Sequence, residues 1–303
     1  MRVLTLEDLR NGLPDDLRLL VVGDPVEHSL SPAMHNAALE YLHLPHRYGR
    51  LRIAREDLGE AFQLLRDRDP VGWNVTLPHK LAAKELVDSL DPLAERVGAV
   101  NTVVNMSGRL FGYNTDCTGL VAAIAEVFGQ KVTSFRIALL GAGGGAGQTA
   151  ARYLCELGVP RIVLVNRTMS KAEQLAQCLR AASPRFPDPS VGSTEIEVAA
   201  WDALPLVWAT VDLIINASTL GLKDEAILPG FDSIGPNHLL FDMVYSPQET
   251  PLVRFARTKG AQAADGLLML LFQGVFAFEI WFGKPAPVEI MRQALFAAAE
   301  RKG

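Results

Sequence analysis

Lys80 and Asp116 are the residues of this sequence best suited to proton chemistry. An ammonium can polarise a carbonyl oxygen and deliver a proton, and a neighbouring carboxylate can orient it and share that proton. The run beginning at Pro78 predicts a helix through Leu90, with Lys80 in its first turn. The positive end of a helix disfavours a second cation there, so Lys80 is anomalous unless a carboxylate such as Asp116 compensates. Around the pair lie short polar runs at the ends of candidate strands: His28-Ser29-Leu30-Ser31, then Asn74 and Thr76, then Asn101-Thr102, then Asn114-Thr115. Open α/β sheets bind ligands at strand ends. Hydroxyls and amides supply the neutral donors and acceptors that a polyhydroxylated small molecule requires. Each residue also has a purely structural reading: Lys80 as a solvated charge, Ser31 as a helix cap, Asn101 as a turn residue, Asp116 as an N-cap.

A second constellation is Gly141-Ala142-Gly143-Gly144-Gly145-Ala146, which fits G-x-G-x-x-A between a strand and a helix. One glycine makes the tight turn, the next lets the backbone approach a pyrophosphate, and the small third residue lets helix pack on strand. The alternative is a flexible glycine-rich turn. The next strand ends at Asn166-Arg167-Thr168, where NAD enzymes carry an acid for the ribose 2′-hydroxyl. An arginine fork between two hydrogen-bonding residues suits a 2′-phosphate instead, so NADP is the expected cofactor. Arg167 as a solvated charge and Thr168 as a helix cap are the structural alternatives.

These residues need strands and helices in alternation, and the pattern supplies them. Leu17–Gly23, Arg47–Ile53 and Val71–Leu77 read as strands, and Ser31 onward and Glu56–Arg66 as helices. Ala99–Asn105 and Arg109–Tyr113 read as a hairpin around Ser107-Gly108. Thr118–Phe128 reads as a helix; strands follow at Arg136–Leu140, Arg161–Val165, Glu195–Ala199, Val211–Asn216 and Leu239–Asp242, with helices at Gln148–Leu157 and Met169–Ala181. Residues 183–193 read as a loop, and Leu267–Phe282 and Val288–Arg301 as closing helices. The fold class expected is α/β with two domains: an α/β substrate domain (1–115 plus 266–303) and a Rossmann-type doubly wound NADP-binding domain (116–265).

Composition narrows the function. The chain has 303 residues, enough for two domains, and nearly half are hydrophobic. A formal charge of -5 without a basic run argues against nucleic-acid or anionic-membrane binding. Cys117, Cys155 and Cys178 are scattered, with no C-x-x-C pair, so neither a disulfide framework nor a metal site is expected, and a cytoplasmic location is. Charges and Gly12-Leu13-Pro14 break the opening segment, so no signal peptide is read there. Leu267–Phe282 is too short for the ~20 residues that span a bilayer and contains Gln273 and Glu279. It is expected to be a buried helix rather than a membrane anchor.

In order and spacing, the motifs resemble the shikimate dehydrogenase family from about residue 18 to the end. The matching runs are GDPVEHSLSPAMHN, NVTLPHK, GAVNTVV, GYNTDCTG, LGAGGGAG, NRT, INASTLGL, DMVYSPQETPL and DGLLMLLFQG. The resemblance implies NADPH-dependent reduction of 3-dehydroshikimate to shikimate, in aromatic amino acid biosynthesis. It implies Lys80 and Asp116 as the catalytic pair, in contact with substrate, and Ser29, Ser31, Thr76, Asn101, Tyr245 and Gln273 as substrate-binding residues. It implies Gly141 to Ala146 for the pyrophosphate and Asn166, Arg167 and Thr168 for the 2′-phosphate. It returns the last helices to the first domain, where a ligand hydroxyl or a neighbouring side chain would satisfy the Gln273 amide. A small-molecule substrate and a monomer or homodimer are expected. Rival readings are a quinate/shikimate or aminoshikimate dehydrogenase, and a catalytically silent binding or regulatory protein on the same fold. Departures from the pattern are Gly147 where many relatives have Arg, Cys117 where Gly is usual, Trp73, and Ser218-Thr219. Gly147 is expected to weaken or reshape phosphate contacts, and Cys117 and Trp73 to bear on substrate shape.

Overall fold

The computed structural model describes residues 2–182, 192–218, 220, 228–246 and 249–301. Most of the 183–193 loop and parts of the INASTLGL and DMVYSPQETPL runs lie outside them. The chain forms two compact units, Met1–Gly119 with Leu270–Gly303, and Leu120–Met269.

In the first unit the elements are β1 (Val3–Leu4), α1 (Leu6–Asn11), β2 (Leu17–Gly23), α2 (Ser31–Tyr41), β3 (Arg47–Arg52), α3 (Leu58–Arg68), β4 (Gly72–Val75), β5 (Ser89–Leu90), α4 (Pro92–Val97), β6 (Thr102–Met106), β7 (Arg109–Tyr113) and the start of α5 (Asp116–Phe128). The strands form one mixed sheet in the order β1-β3-β2-β4-β6-β7-β5. Pairing is parallel from β1 to β4 and antiparallel through β6 and β7. The run LRLLVVG of β2 is apolar almost throughout because helices cover both of its faces. On one face Phe62 and Leu65 of α3 pack with Leu20, Val22, Trp73 and Val75. On the other, His35 of α2 stacks on Tyr48 of β3.

The second unit continues with β8 (Arg136–Leu140), α6 (Gly145–Glu156), β9 (Arg161–Val165), α7 (Met169–Ala182), β10 (Glu195–Ala199), α8 (Leu204–Trp208), β11 (Leu213–Asn216), β12 (Leu239–Asp242), α9 (Pro251–Thr258) and β13 (Gln262–Ala264). Its sheet runs β10-β9-β8-β11-β12-β13, parallel at every pairing. That is the doubly wound dinucleotide-binding order, with its switch point between β8 and β11. Helix α10 (Leu267–Phe282) leads back, and most of it, with α11 (Val288–Glu300), belongs to the first unit. There Phe278 and Trp281 of α10 close around His35.

Three local expectations fail. The segment from Pro78 to Leu90 is not an α-helix: it holds a short 3₁₀ turn, Ala82–Leu86, followed by β5. The Asp88 carboxylate accepts from Leu110 N and Arg66 Nη1, each at 2.7 Å, and β5 pairs with β7, so tertiary contacts override helical spacing. Ser31 is not an N-cap; Leu30 holds that position and no side chain caps α2. Asp116 is not a cap either, because it lies inside α5 while Asn114 Oδ1 accepts from Cys117 N at 3.1 Å.

Candidate active site

Four strand ends of the first unit converge on one sheet edge. The register pairs Val22 with Val75, Asn74 with Thr102 and Thr102 with Tyr113. The residues just past β2, β4 and β7, and just before β6, therefore share that edge. These are Ser29 and Ser31, Thr76 and Lys80, Asp116, and Asn101 respectively.

At this edge Lys80 Nζ donates to Asp116 Oδ2 at 2.7 Å. Both side chains are partly shielded, at 31% and 17% exposure, so the ion pair is weakly screened yet open to a ligand. Lys80 reaches this position from a turn rather than from the first turn of an α-helix. Two contacts fix the turn: the Lys80 carbonyl accepts from Val100 N at 2.9 Å, and the buried His79 ring bonds Ile53 O through Nε2 at 2.7 Å.

Beneath the pair runs a buried polar lattice. Tyr48 Oη donates to Asn74 Oδ1 at 2.7 Å, and Asn74 Nδ2 donates to Thr102 Oγ1 at 3.0 Å. Asn101 Oδ1 accepts from Thr115 N at 2.7 Å, while its Nδ2 donates to Thr115 Oγ1 at 2.9 Å. Asn101 is thus more than a turn residue: it ties the strand end to the segment carrying Asp116. Burial pushes the Tyr48 phenol well above its ordinary range, with Ser31 as a hydrogen-bond partner acting against that. Ser29 O accepts from Arg50 Nη2 at 2.7 Å and Ser29 Oγ from Ser31 N at 3.3 Å, which shapes the loop after β2. Gln273 is buried, and its amide donates to Leu270 O of its own helix at 2.8 Å. A Cβ added at Gly119 would lie 2.8 Å from Gln273 N, so glycine lets α5 and α10 cross closely and brings Gln273 beside the helix that carries Asp116.

In the second unit the glycine loop follows β8 at the switch point. Gly141 has φ +76°, the left-handed region that favours glycine. Gly144, Gly145 and Ala146 are exposed where α6 begins, and a helix start leaves its first N–H groups free for an anion. Asn166 Oδ1 accepts from Gly143 N at 3.2 Å, and Gln148 Nε2 donates to Gly143 O at 3.1 Å, so side chains hold both ends of that residue. Arg167 and Thr168 are exposed beside it, with no acid among these residues. Tyr245 also lies in this unit, half-buried after β12. The donor set suits a dinucleotide carrying a 2′-phosphate.

The chain aligns with curated and solved proteins over nearly its whole length. Residues 21–103 match the shikimate dehydrogenase substrate binding domain, 123–218 the shikimate/quinate 5-dehydrogenase model and 266–296 the shikimate 5'-dehydrogenase C-terminal domain. It is 40% identical over 287 residues to the NADP(+) shikimate dehydrogenase of Symbiobacterium thermophilum, covering 92% of this chain and 94% of that one. The chain belongs to the shikimate dehydrogenase family. A second family member, the NADP(+) enzyme of Desulforamulus reducens, is 38% identical over 278 residues, with 90% and 92% coverage. Among solved family members, the shikimate 5-dehydrogenase of Thermus thermophilus, in complex with NADP(H) and shikimate, matches with a TM-score of 0.79. Its identity is 35%, over 93% of this chain and 99% of that one.

Within the family frame, two departures change meaning. An added Cβ at Gly147 would lie 2.8 Å from Ala142 Cα and closer still to the Gly141 carbonyl oxygen. Ala146, by contrast, is exposed. The small residue that lets helix approach strand is therefore Gly147, not Ala146, and the loop has the spacing G-x-G-x-x-x-G. Gly147 is therefore a packing requirement of this loop. Trp73 is fully buried edge-on against Phe62 in the core under α3, so it does not shape a substrate pocket. Cys117 is buried in the first turn of α5.

Sequence reading missed Lys171. An added Cβ at Gly143 would lie 2.7 Å from Lys171 Cβ, which puts this exposed cation over the glycine loop beside Arg167. Its spacing, four residues after Arg167 at the start of α7, was the available signal. His79, the anchor of the Lys80 turn, was read only as part of a motif string.

Proposed function

We propose that the protein catalyses the reversible NADPH-dependent reduction of 3-dehydroshikimate to shikimate. The observation that carries this reading is the Lys80–Asp116 ion pair, 2.7 Å long, on a strand edge lined with hydroxyls and amides, in a chain of this family. The Lys80 ammonium orients and polarises the substrate ketone oxygen, where an alkoxide develops, and the Lys80–Asp116 pair delivers the proton there. Ser29, Ser31, Thr76, Asn101, Tyr245 and Gln273 hold the ring hydroxyls and carboxylate. Asn101 has one amide hydrogen left after Thr115 takes the other.

NADPH supplies the hydride when bound. Residues 141–146 fit its pyrophosphate, and Asn166, Arg167 and Thr168, with Lys171, fit its 2′-phosphate. An arginine fork and an ammonium favour that dianion over a bare hydroxyl. We place the protein in the cytoplasm. Supporting this, no described helix is long and apolar enough to cross a membrane, and the three cysteines are scattered with no C-x-x-C pair. A monomer or homodimer is expected, and sedimentation velocity distinguishes them.

Initial rates with shikimate and with quinate, each with NADP and NAD, test the assignment. Shikimate with NADP should be fastest; faster quinate oxidation would favour the quinate reading. Lys80→Ala should lower kcat by about two to four orders of magnitude, the range of lost general acid–base catalysis, while NADPH still binds. Near-parental turnover in that variant would overturn the role given to Lys80.

A further inference from the structure

Three polar side chains of the second unit are buried almost completely, yet no step above uses them: Asn216 and Asp242 at 0% exposure and Thr250 at 1%. Asn216 ends β11, Asp242 ends β12, and the two stand opposite each other in the parallel register. Thr250 caps α9. Asn216 Nδ2 donates to Asp242 Oδ1 at 2.9 Å and to Leu220 O at 3.2 Å. Asn216 Oδ1 accepts from Ser218 Oγ at 2.6 Å and Ser218 N at 3.1 Å. Asp242 Oδ1 also accepts from Val244 N at 3.1 Å, and Oδ2 accepts from Thr250 Oγ1 at 2.8 Å. All four hydrogen-bonding valences of the Asn216 amide are filled. A fully satisfied buried network of this kind fixes geometry.

What it fixes lies beside the dinucleotide loop. β11 also pairs with β8, in register Asn216 with Leu140, one residue before Gly141. A Cβ added at Gly141 would lie 2.7 Å from Ser218 Cβ, so Ser218 packs directly against the tight turn. Thr250, Asp242, Asn216 and Ser218 thus form one chain of contacts ending on Gly141. We propose that Asn216, Asp242 and Thr250 are positioning residues for the dinucleotide, acting through Ser218 on the Gly141 turn. This rests on the reading that the second unit binds NADP.

The chemistry of the clamp makes it separable from simple burial. Burial, with a smaller push from Asp265, raises the Asp242 carboxyl to about 6 against three hydrogen bonds that lower it. A proton on Oδ2 would donate to Thr250 Oγ1, leaving Oδ1 to accept from Asn216 and Val244. An asparagine can make the same pattern, with Nδ2 donating to Thr250 and Oδ1 accepting twice. Alanine can make none of it.

Kd values for NADPH and NADH by nicotinamide fluorescence, with shikimate KM and Tm, test the clamp in the full chain. Asp242→Ala should weaken both dinucleotides about tenfold or more, a typical consequence of lost positioning hydrogen bonds, with shikimate KM held within about twofold. Asp242→Asn should recover most of that affinity. Thr250→Val, which keeps shape but loses both the bond to Asp242 Oδ2 and the cap on Val253 N, gives a second reading if Asp242→Ala does not fold; a several-fold loss is expected. The clamp is overturned if the folded Ala and Val variants bind NADPH as the parent does, or if Asp242→Asn loses as much as Asp242→Ala. A parent that binds neither dinucleotide would instead overturn the NADP reading itself.

Discussion

The two cationic sites are built differently. Lys80 is tied to a carboxylate at 2.7 Å, which suits a group that must polarise an oxygen and handle a proton. Arg167 and Lys171 are exposed at the end of β9 and the start of α7, which suits them to meet a dianion arriving from water. Arg167→Ala and Lys171→Ala should each weaken NADPH by about tenfold, the scale of a charge-assisted hydrogen bond, and NADH much less. Competitive binding of both dinucleotides checks this; equal losses would remove the 2′-phosphate role. Arg167 was legible because it stands where an acid is otherwise required. Lys171 was not, because only the packing of α7 against Gly143 reveals its place. Lys80 and Asp116 stood out as residue types, but only the folded sheet edge brings them into contact. Asn216 and Asp242 read only as the last residues of two strands until the register set them face to face, and Thr250 read only as part of a motif run.

Periodicity served well for elements that pack as regular amphipathic or fully buried segments, such as β2, β8, β9 and α3. It failed where a contact distant in sequence decided the outcome. The stretch after Pro78 has helical spacing, yet Asp88 is claimed by Arg66 and by the backbone of β7, which pulls Ser89–Leu90 into the sheet. The glycine loop shows a subtler failure. G-x-G-x-x-A and G-x-G-x-x-x-G both occur in the string, and only the approach of α6 to the Gly141 carbonyl selects the second. This selection makes Gly147→Ala disruptive, although alanine is the better helix former. Overpacking against backbone should destabilise the second unit by about 1–3 kcal/mol and weaken NADPH binding. Ala146→Gly should affect both far less. Thermal melts with and without NADPH check the pair, and a Gly147→Ala protein as stable as the parent would return the packing role to Ala146.

At the scale of the whole molecule the two units carry separate cores and respond to acid in different ways. In the first unit His35 is buried among Tyr48, Phe278 and Trp281, and burial lowers its pKa from 6.5 to about 3. Its folded form resists protonation, so the stability it leaves intact above pH 6.5 is lost as pH falls from there toward 3. Asp8, Asp16, Glu60 and Asp88 of the same unit are lowered by hydrogen bonds to Arg2, Arg47, Arg10 and Arg66, and also lose stability as acid protonates them. In the second unit Asp212 behaves likewise, through Arg136. Asp242 has the opposite sign: burial raises it from 3.8 to about 6, so the folded unit gains stability as pH falls through that interval. Asp265 is also raised by burial. Acid should therefore loosen residues 2–119 and 270–301 before residues 120–269. Native-state hydrogen exchange at pH 7 and pH 5, corrected for intrinsic rates, reads this directly. Protection should fall further in β2, β4 and α2 than in β8, β11 and β12. His35→Phe, which preserves the stack on Tyr48, should narrow the difference by removing the largest acid-sensitive burial. A second unit that loosens first, or a His35→Phe protein with an unchanged difference, would show that other groups govern the acid response.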